Sequence, residues 1–186
     1  MYSTSDFRKG LKIEIDGEPY VIVDFQHVKP GKGGAFVRTR LKSLLSGNVV
    51  EQTFRSGDRV DKPDLEEREM QFLYESGGEY HFMDTTTFEQ LFLTAEQMGE
   101  NKDFLKENLV IKTLFHNKRS IGVEVPMFVE LKVVKSDPGM RGDTATGATK
   151  PATLESGAVI QVPLFVEEGD TLRVDTRTRE YITRVK

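Results

Sequence analysis

Apolar and polar residues alternate along much of this chain with a period of two, the pattern of strands that put one face into a core and the other into water. Leu11-Lys12-Ile13-Glu14-Ile15 shows it most cleanly, and Asp16-Gly17 follows as a turn. Residues 20–25, β-branched and aromatic, read as a second strand. The same reading predicts strands over 36–45, 49–54, 71–75 and 80–83. Ser46-Gly47-Asn48, Ser56-Gly57-Asp58 and Ser76-Gly77-Gly78 separate them as turns. Further strands are expected over 109–115, 120–125, 128–134, 158–162, 171–174 and 181–185. Helix signals are few. Thr94-Ala95-Glu96-Gln97 has the form of a capping box and predicts two or three helical turns to about residue 107, interrupted by Gly99.

Short strands at regular spacing, punctuated by Gly and Asp turns, indicate an all-β chain of barrels or sandwiches. One barrel does not absorb so many strands, so several small ones are expected. Asp61-Lys62-Pro63-Asp64 and Val125-Pro126-Met127 are the candidate joints, because proline stiffens a linker and blocks ladder continuation. The cuts give parts 1–62, 63–128 and 129–186.

Charge changes the picture more by its distribution than by its sum, which is −4. Residues 1–62 carry 11 Lys and Arg against 8 Asp and Glu, residues 63–128 carry 6 against 13, and residues 129–186 carry 9 against 9. If one part meets phosphates, the first is favoured and the middle, at −7, is disfavoured. Cysteine is absent, which excludes a disulfide framework, a thiolate metal site and a thiol nucleophile, and fits a reducing cytoplasm. The first nine residues have no apolar signal region, and no stretch approaches the roughly 18 apolar residues of a membrane helix. Cytoplasmic localisation is therefore expected.

Chemistry of the common catalytic kinds is hard to find. His27, His81 and His116 show no metal-ligand spacing and read as surface or strand residues. There is no Gly-x-Ser-x-Gly elbow and no phosphate loop ending in Gly-Lys-Ser/Thr. The carboxylates look like solvated strand faces, although a catalytic pair forms in space and not in sequence. Arg141-Gly142-Asp143 spells an adhesion tripeptide, read here as coincidence. No catalytic residue, metal or cofactor is assigned.

Two segments stand out. Lys29-Pro30-Gly31-Lys32-Gly33-Gly34-Ala35 lies between two expected strands. Pro30-Gly31 favours a tight turn, and Gly33-Gly34 permits positive φ and close backbone approach. Lys32 is thereby placed at a hairpin tip with no bulky neighbour, a point charge on a long stem suited to an anionic crevice and open to modification. The next strand puts Arg38, Arg40 and Lys42 on one face about 7 Å apart, a row able to follow a nucleic-acid backbone. An ordinary exposed hairpin and a solvated sheet face are the alternatives. The second segment, residues 135–154, is rich in Gly, Thr and Ala and reads as a backbone-rich loop able to press against RNA. A flexible linker is its alternative.

At these segments the chain resembles the bacterial elongation factor P family. Residues 29–38 are similar to the family's functional loop, Gly142-Asp143-Thr144-Ala145-Thr146-Gly147-Ala148-Thr149-Lys150-Pro151-Ala152-Thr153 to its third-domain signature, and residues 179–186 to its ending. The resemblance implies an SH3-like (KOW-type) barrel followed by two OB-fold barrels in an L-shaped, tRNA-like arrangement. It implies a non-enzymatic, monomeric factor that binds the 70S ribosome between the P and E sites. There it stabilises P-site peptidyl-tRNA and relieves stalling at consecutive prolines. On that resemblance Lys32 is the functional tip and the site of a covalent extension by a lysine-modifying enzyme, carried on Pro30, Gly31, Gly33, Gly34 and Ala35. Lys29, Arg38, Arg40 and Lys42 contact tRNA or rRNA phosphates. The loop Arg141, Gly142, Asp143, Thr144, Ala145, Thr146 and Gly147 lies at the small subunit and the mRNA codon of the E site. Two rivals from the residues alone are a single-stranded-RNA-binding OB protein, which needs exposed aromatics where most Phe residues here are expected in cores, and an enzyme with a pocket of perturbed carboxylates.

Overall fold

The structure, a computed structural model, describes residues 1–139 and 147–186. The chain folds as two compact units, Met1–Glu67 with Leu114–Gly122, and Arg68–Thr113 with Val123–Lys186.

In the first unit the alternation becomes a small barrel. Strands β1 (Tyr2–Ser3), β2 (Lys12–Ile15), β3 (Glu18–Val28), β4 (Phe36–Ser43), β5 (Val49–Arg55) and β6 (Arg59–Val60) follow in order. β2 to β5 form one antiparallel sheet in sequence order, and β1 pairs with β6. A bridge from Glu14 to Asp61 and the bond from the Gly57 N–H to Thr4 Oγ1 (2.8 Å) tie the two pieces together. β4 shows the cause most clearly. Val37, Thr39, Leu41 and Ser43 point inward, while Arg38, Arg40 and Lys42 point to solvent. The buried set joins Phe7, Leu11, Ile13, Ile22, Phe54 and Val60 in one core. A register shift between Ile22 and Asp24 lets the long β3 bend and serve two neighbours.

The turn 114–122 also belongs to this unit. His116, expected at the surface or on a strand, is buried on a strand, with Nε2 2.8 Å from Glu14 Oε1. The Asn117 N–H donates to the Asp64 carbonyl at 3.2 Å.

The remaining strands form two OB-type sheets. The first orders β11 (Arg119–Glu124), β10 (Val110–His116), β7 (Leu65–Ser76), β8 (Glu79–Asp84) and β9 (Gln90–Thr94). After β9, Thr94 caps a single-turn helix α1 (Ala95–Met98), accepting from the Gln97 N–H while Gln97 returns a bond to the Thr94 N–H. Gly99, at φ 57°, ends it, and a 3-10 helix runs from Gly99 to Phe104. The capping box is as read, but the α-helix is shorter than the two or three turns expected. Met70, Phe72, Phe82, Leu93, Met98, Leu105 and Ile111 fill this core. The last sheet orders β14 (Val159–Pro163), β13 (Thr149–Leu154), β12 (Phe128–Ser136), β15 (Thr171–Asp175) and β16 (Glu180–Val185), and β14 and β16 come back together so that the sheet curls on itself. Leu131, Val133, Leu154, Val162, Leu172 and Val174 are its centre.

The expected all-β fold of an SH3-like barrel and two OB barrels is the one present. Strands β1, β6 and β9 lie outside the sequence-based reading. β13 corrects it, because residues 149–154 were expected to continue the loop. The strand contains Pro151. It is tolerated because β12 pairs with β13 only as far as Ser136 opposite Ala152, so Pro151 has a ladder neighbour on the β14 side alone. Most Phe residues were expected in cores; Phe88, Phe92, Phe128 and Phe165 are exposed.

Candidate functional site

Lys32 sits in the loop between β3 and β4 and is exposed, together with Lys29, Pro30, Gly31, Gly33 and Gly34; Ala35 is half-buried. Among the described residues Lys32 has no hydrogen bond or ion pair. The glycines around it differ in their reasons. Gly33 adopts φ +91°, a left-handed conformation that a side chain would strain. Gly31 and Gly34 have no such φ, and a Cβ at either would meet nothing within 4 Å. Their bareness therefore keeps the tip slim and does nothing for the barrel's own packing.

The hairpin that carries the tip is a full ladder, from Tyr20 opposite Ser43 at its root to Val28 opposite Phe36 beneath the loop. The root is pinned. Ser43 Oγ donates to Glu18 Oε1 at 2.6 Å, and Tyr20 donates to Glu18 Oε2 at 2.8 Å. These bonds hold the Glu18 carboxyl below its ordinary value, the Ser43 bond contributing most, and the same carboxylate pushes the Tyr20 hydroxyl up.

Arg38, Arg40 and Lys42 are brought together on the exposed face of β4, as their spacing predicts. Their neighbours were not legible. Arg38 faces Gln26 and Thr53 across the ladders, and Lys42 faces Val21 and Val49, but Arg40 lies between Asp24 and Glu51. Asp24 in turn lies 3.7 Å from Lys9. The row is thus cationic at both ends and compensated in the middle.

Of the second loop, Arg141, Gly142, Asp143, Thr144, Ala145 and Thr146 lie outside the described residues; Gly147 is described, at φ +88°. Both stems of the loop are held. The buried Lys150 donates from Nζ to the Asp137 carbonyl at 2.6 Å. Gly139 packs so close to Leu164 that a Cβ would come within 3.3 Å of its side chain and its carbonyl oxygen. Sequence reasoning missed Lys150 as an anchor, because a lysine beside Pro151 in a polar segment gives no sign of burial.

The carboxylates with lowered pKa outside the first barrel are held by local bonds. Asp84 accepts from the Thr87 and Thr86 N–H groups at 3.0 and 2.7 Å, and Asp175 takes a guanidinium bond from Arg177 at 2.9 Å. Among the described residues no cluster of three or more His, Cys, Asp or Glu is arranged to hold a metal ion, and no helix is long and apolar enough to cross a membrane.

Three sequence models of one family match in succession: the elongation factor P KOW-like domain over residues 3–60, its OB domain over 65–123 and its C-terminal domain over 129–184. A protein named elongation factor P from Natranaerobius thermophilus is 58% identical over 186 residues, covering 100% of this chain and 99% of its own. One of the same name from Moorella thermoacetica is 59% identical over 184 residues, covering 99% and 100%. Among solved structures, eukaryotic translation initiation factor 5A from Methanococcus jannaschii superposes with a TM-score of 0.56 at 25% identity, over 67% of this chain and 92% of that one.

Proposed function

The chain belongs to the elongation factor P family and is by that membership a translation factor, and from that premise we propose that it binds the 70S ribosome between the P and E sites and steadies P-site peptidyl-tRNA through Lys32. The carrying observation is the tip itself: an exposed lysine between glycines, unpaired among the described residues, at the end of a hairpin pinned at its root. A cation so mounted meets phosphates without first breaking a bond to its own protein.

The mechanism is positional. Proline is a constrained partner in peptide transfer, and stalling follows at runs of it. Ordering the acceptor end of peptidyl-tRNA removes unproductive orientations and lowers the barrier by up to several kcal/mol. The ribosome keeps the chemistry, so the factor itself is no enzyme. Arg38, Lys42 and Lys29 add phosphate contacts, with Arg40 weaker because of Asp24 and Glu51. In the same reading, 1–62, 63–128 and 129–186 act as three modules of a monomer. A lysine-modifying enzyme extends Lys32 covalently, and the loop 141–147 addresses the small subunit and the mRNA codon of the E site. The deciding experiment is translation of a reporter with consecutive prolines in a reconstituted system. The native chain should relieve the stall and the Lys32→Ala chain should not. Equal relief by both would end the assignment.

A further inference from the structure

Phe104 and Leu105 are neighbours in the chain but enter different cores. Phe104 belongs to the core of Leu131 and Leu172 in the third barrel, and Leu105 to that of Met70 and Phe82 in the middle one. Leu109 and Val125 pack against both. The 3-10 helix that ends at Phe104 is fastened on each side. Asn101 Nδ2 donates to the Val123 carbonyl of β11 at 3.1 Å, and Ser156 Oγ, on the turn between β13 and β14, donates to the Asp103 carbonyl.

The turn between β15 and β16 closes on the same joint. Thr176 Oγ1 donates to the Pro126 carbonyl at 2.7 Å, and the Thr176 N–H to the Met127 carbonyl at 2.9 Å. Arg177 is spent inside the turn, on the Asp175 carboxylate at 2.9 Å. Arg179 behaves otherwise. Its N–H closes the turn on the Asp175 carbonyl at 2.8 Å, and its φ is +63°, a conformation that strains a residue with a side chain. A glycine at 179 would be at ease there but would have nothing to reach across with. The arginine reaches: Nη2 lies 2.9 Å from Asp103 Oδ2, and the guanidinium carbon 5.2 Å from the centroid of the Phe104 ring. Backbone strain is thus held at one position whose side chain grips the segment shared by two cores.

We propose that Arg179 is a positioning residue: through Asp103 and Phe104 it pins the third barrel to the middle one, so that residues 68–113 and 123–186 move as one body. The inference stands apart from the ribosome reading above and is tested on the full chain alone. Cysteine is absent, so Gln90→Cys and Val159→Cys, at exposed positions on the middle and third barrels, take two spin labels without competition. Double electron–electron resonance should give one narrow distance distribution. Arg179→Gly relaxes the turn while removing both contacts, and should widen that distribution about twofold. Asp103→Ala should widen it less, since the ring contact remains, and adding it to Arg179→Gly should widen it no further, because the pair is already gone. A role confined to the turn gives the opposite result, an Arg179→Gly chain with the native distribution and a higher melting temperature. That result, a broad distribution before any substitution at 179, or further widening in the Asp103→Ala/Arg179→Gly chain would overturn the proposal.

Discussion

Ser43 Oγ donates to Glu18 Oε1 at 2.6 Å, at the end of the β3–β4 ladder farthest from Lys32. The same hydroxyl accepts from the Leu45 and Ser46 N–H groups, so one serine joins two strands and the turn that follows them.

That arrangement makes part of the first barrel's stability depend on pH. The folded-state pKa of Glu18 is lowered, so its contribution is present above the ordinary value of 4.5 and is lost as pH falls through the folded value. Glu18→Gln should therefore lower the urea midpoint at neutral pH, with the gap to the native chain closing under acid conditions. A gap that stays constant down to acid pH would show that ionised Glu18 has no part in it.

Lys32→Ala should leave thermal unfolding unchanged, because the side chain is exposed and has no partner among the described residues. Relief of polyproline stalling should vanish. Lys32→Arg keeps the charge but not the compact ammonium, so an intermediate rate is expected in the same assay.

The tip glycines separate backbone demand from partner demand. Gly33→Ala should cost on the order of 1 kcal/mol, since φ is +91° there, and denaturant titration would read it. Gly34→Ala should cost the isolated protein almost nothing, as a Cβ meets nothing within 4 Å. It should still reduce ribosome-dependent activity where the loop is closely surrounded. Full activity of Gly34→Ala would mean the tip has room to spare.

Charge reversal on β4 should depend on position. Arg38→Glu, flanked by Gln26 and Thr53, should fold normally and lower the slope of log affinity against log salt by about 1 or more. Arg40→Glu would place three carboxylates side by side with Asp24 and Glu51 and should cost roughly 0.5–2 kcal/mol in stability. Equal melting temperatures for the two variants would contradict the compensated middle of the row.

Thr94→Ala removes the acceptor for the Gln97 N–H and should cost about 1 kcal/mol, measured by denaturant unfolding. The effect should be confined to stability, since α1 lies remote in sequence from the Lys32 loop.

By itself the sequence determined the strands with clean alternation, among them β2, β4 and β12, because a residue's face in a strand depends only on parity. It also determined the exposed Lys32 tip and the capping box at Thr94, whose causes lie within a few neighbouring residues. Tertiary structure decided what depends on distant partners. β1 and β6 are strands only because they find each other across more than fifty residues, and β13 accepts Pro151 only because β12 ends beside it. Cross-strand register set Asp24 and Glu51 against Arg40, folding carried Lys150 to Asp137, and the outer face of β7, β8 and β9 gathered Tyr74, His81 and Phe92 into one row. Period-two patterning says which side of a strand a residue occupies. Which strand lies beside it, and in what register, is settled by the packing of the whole sheet.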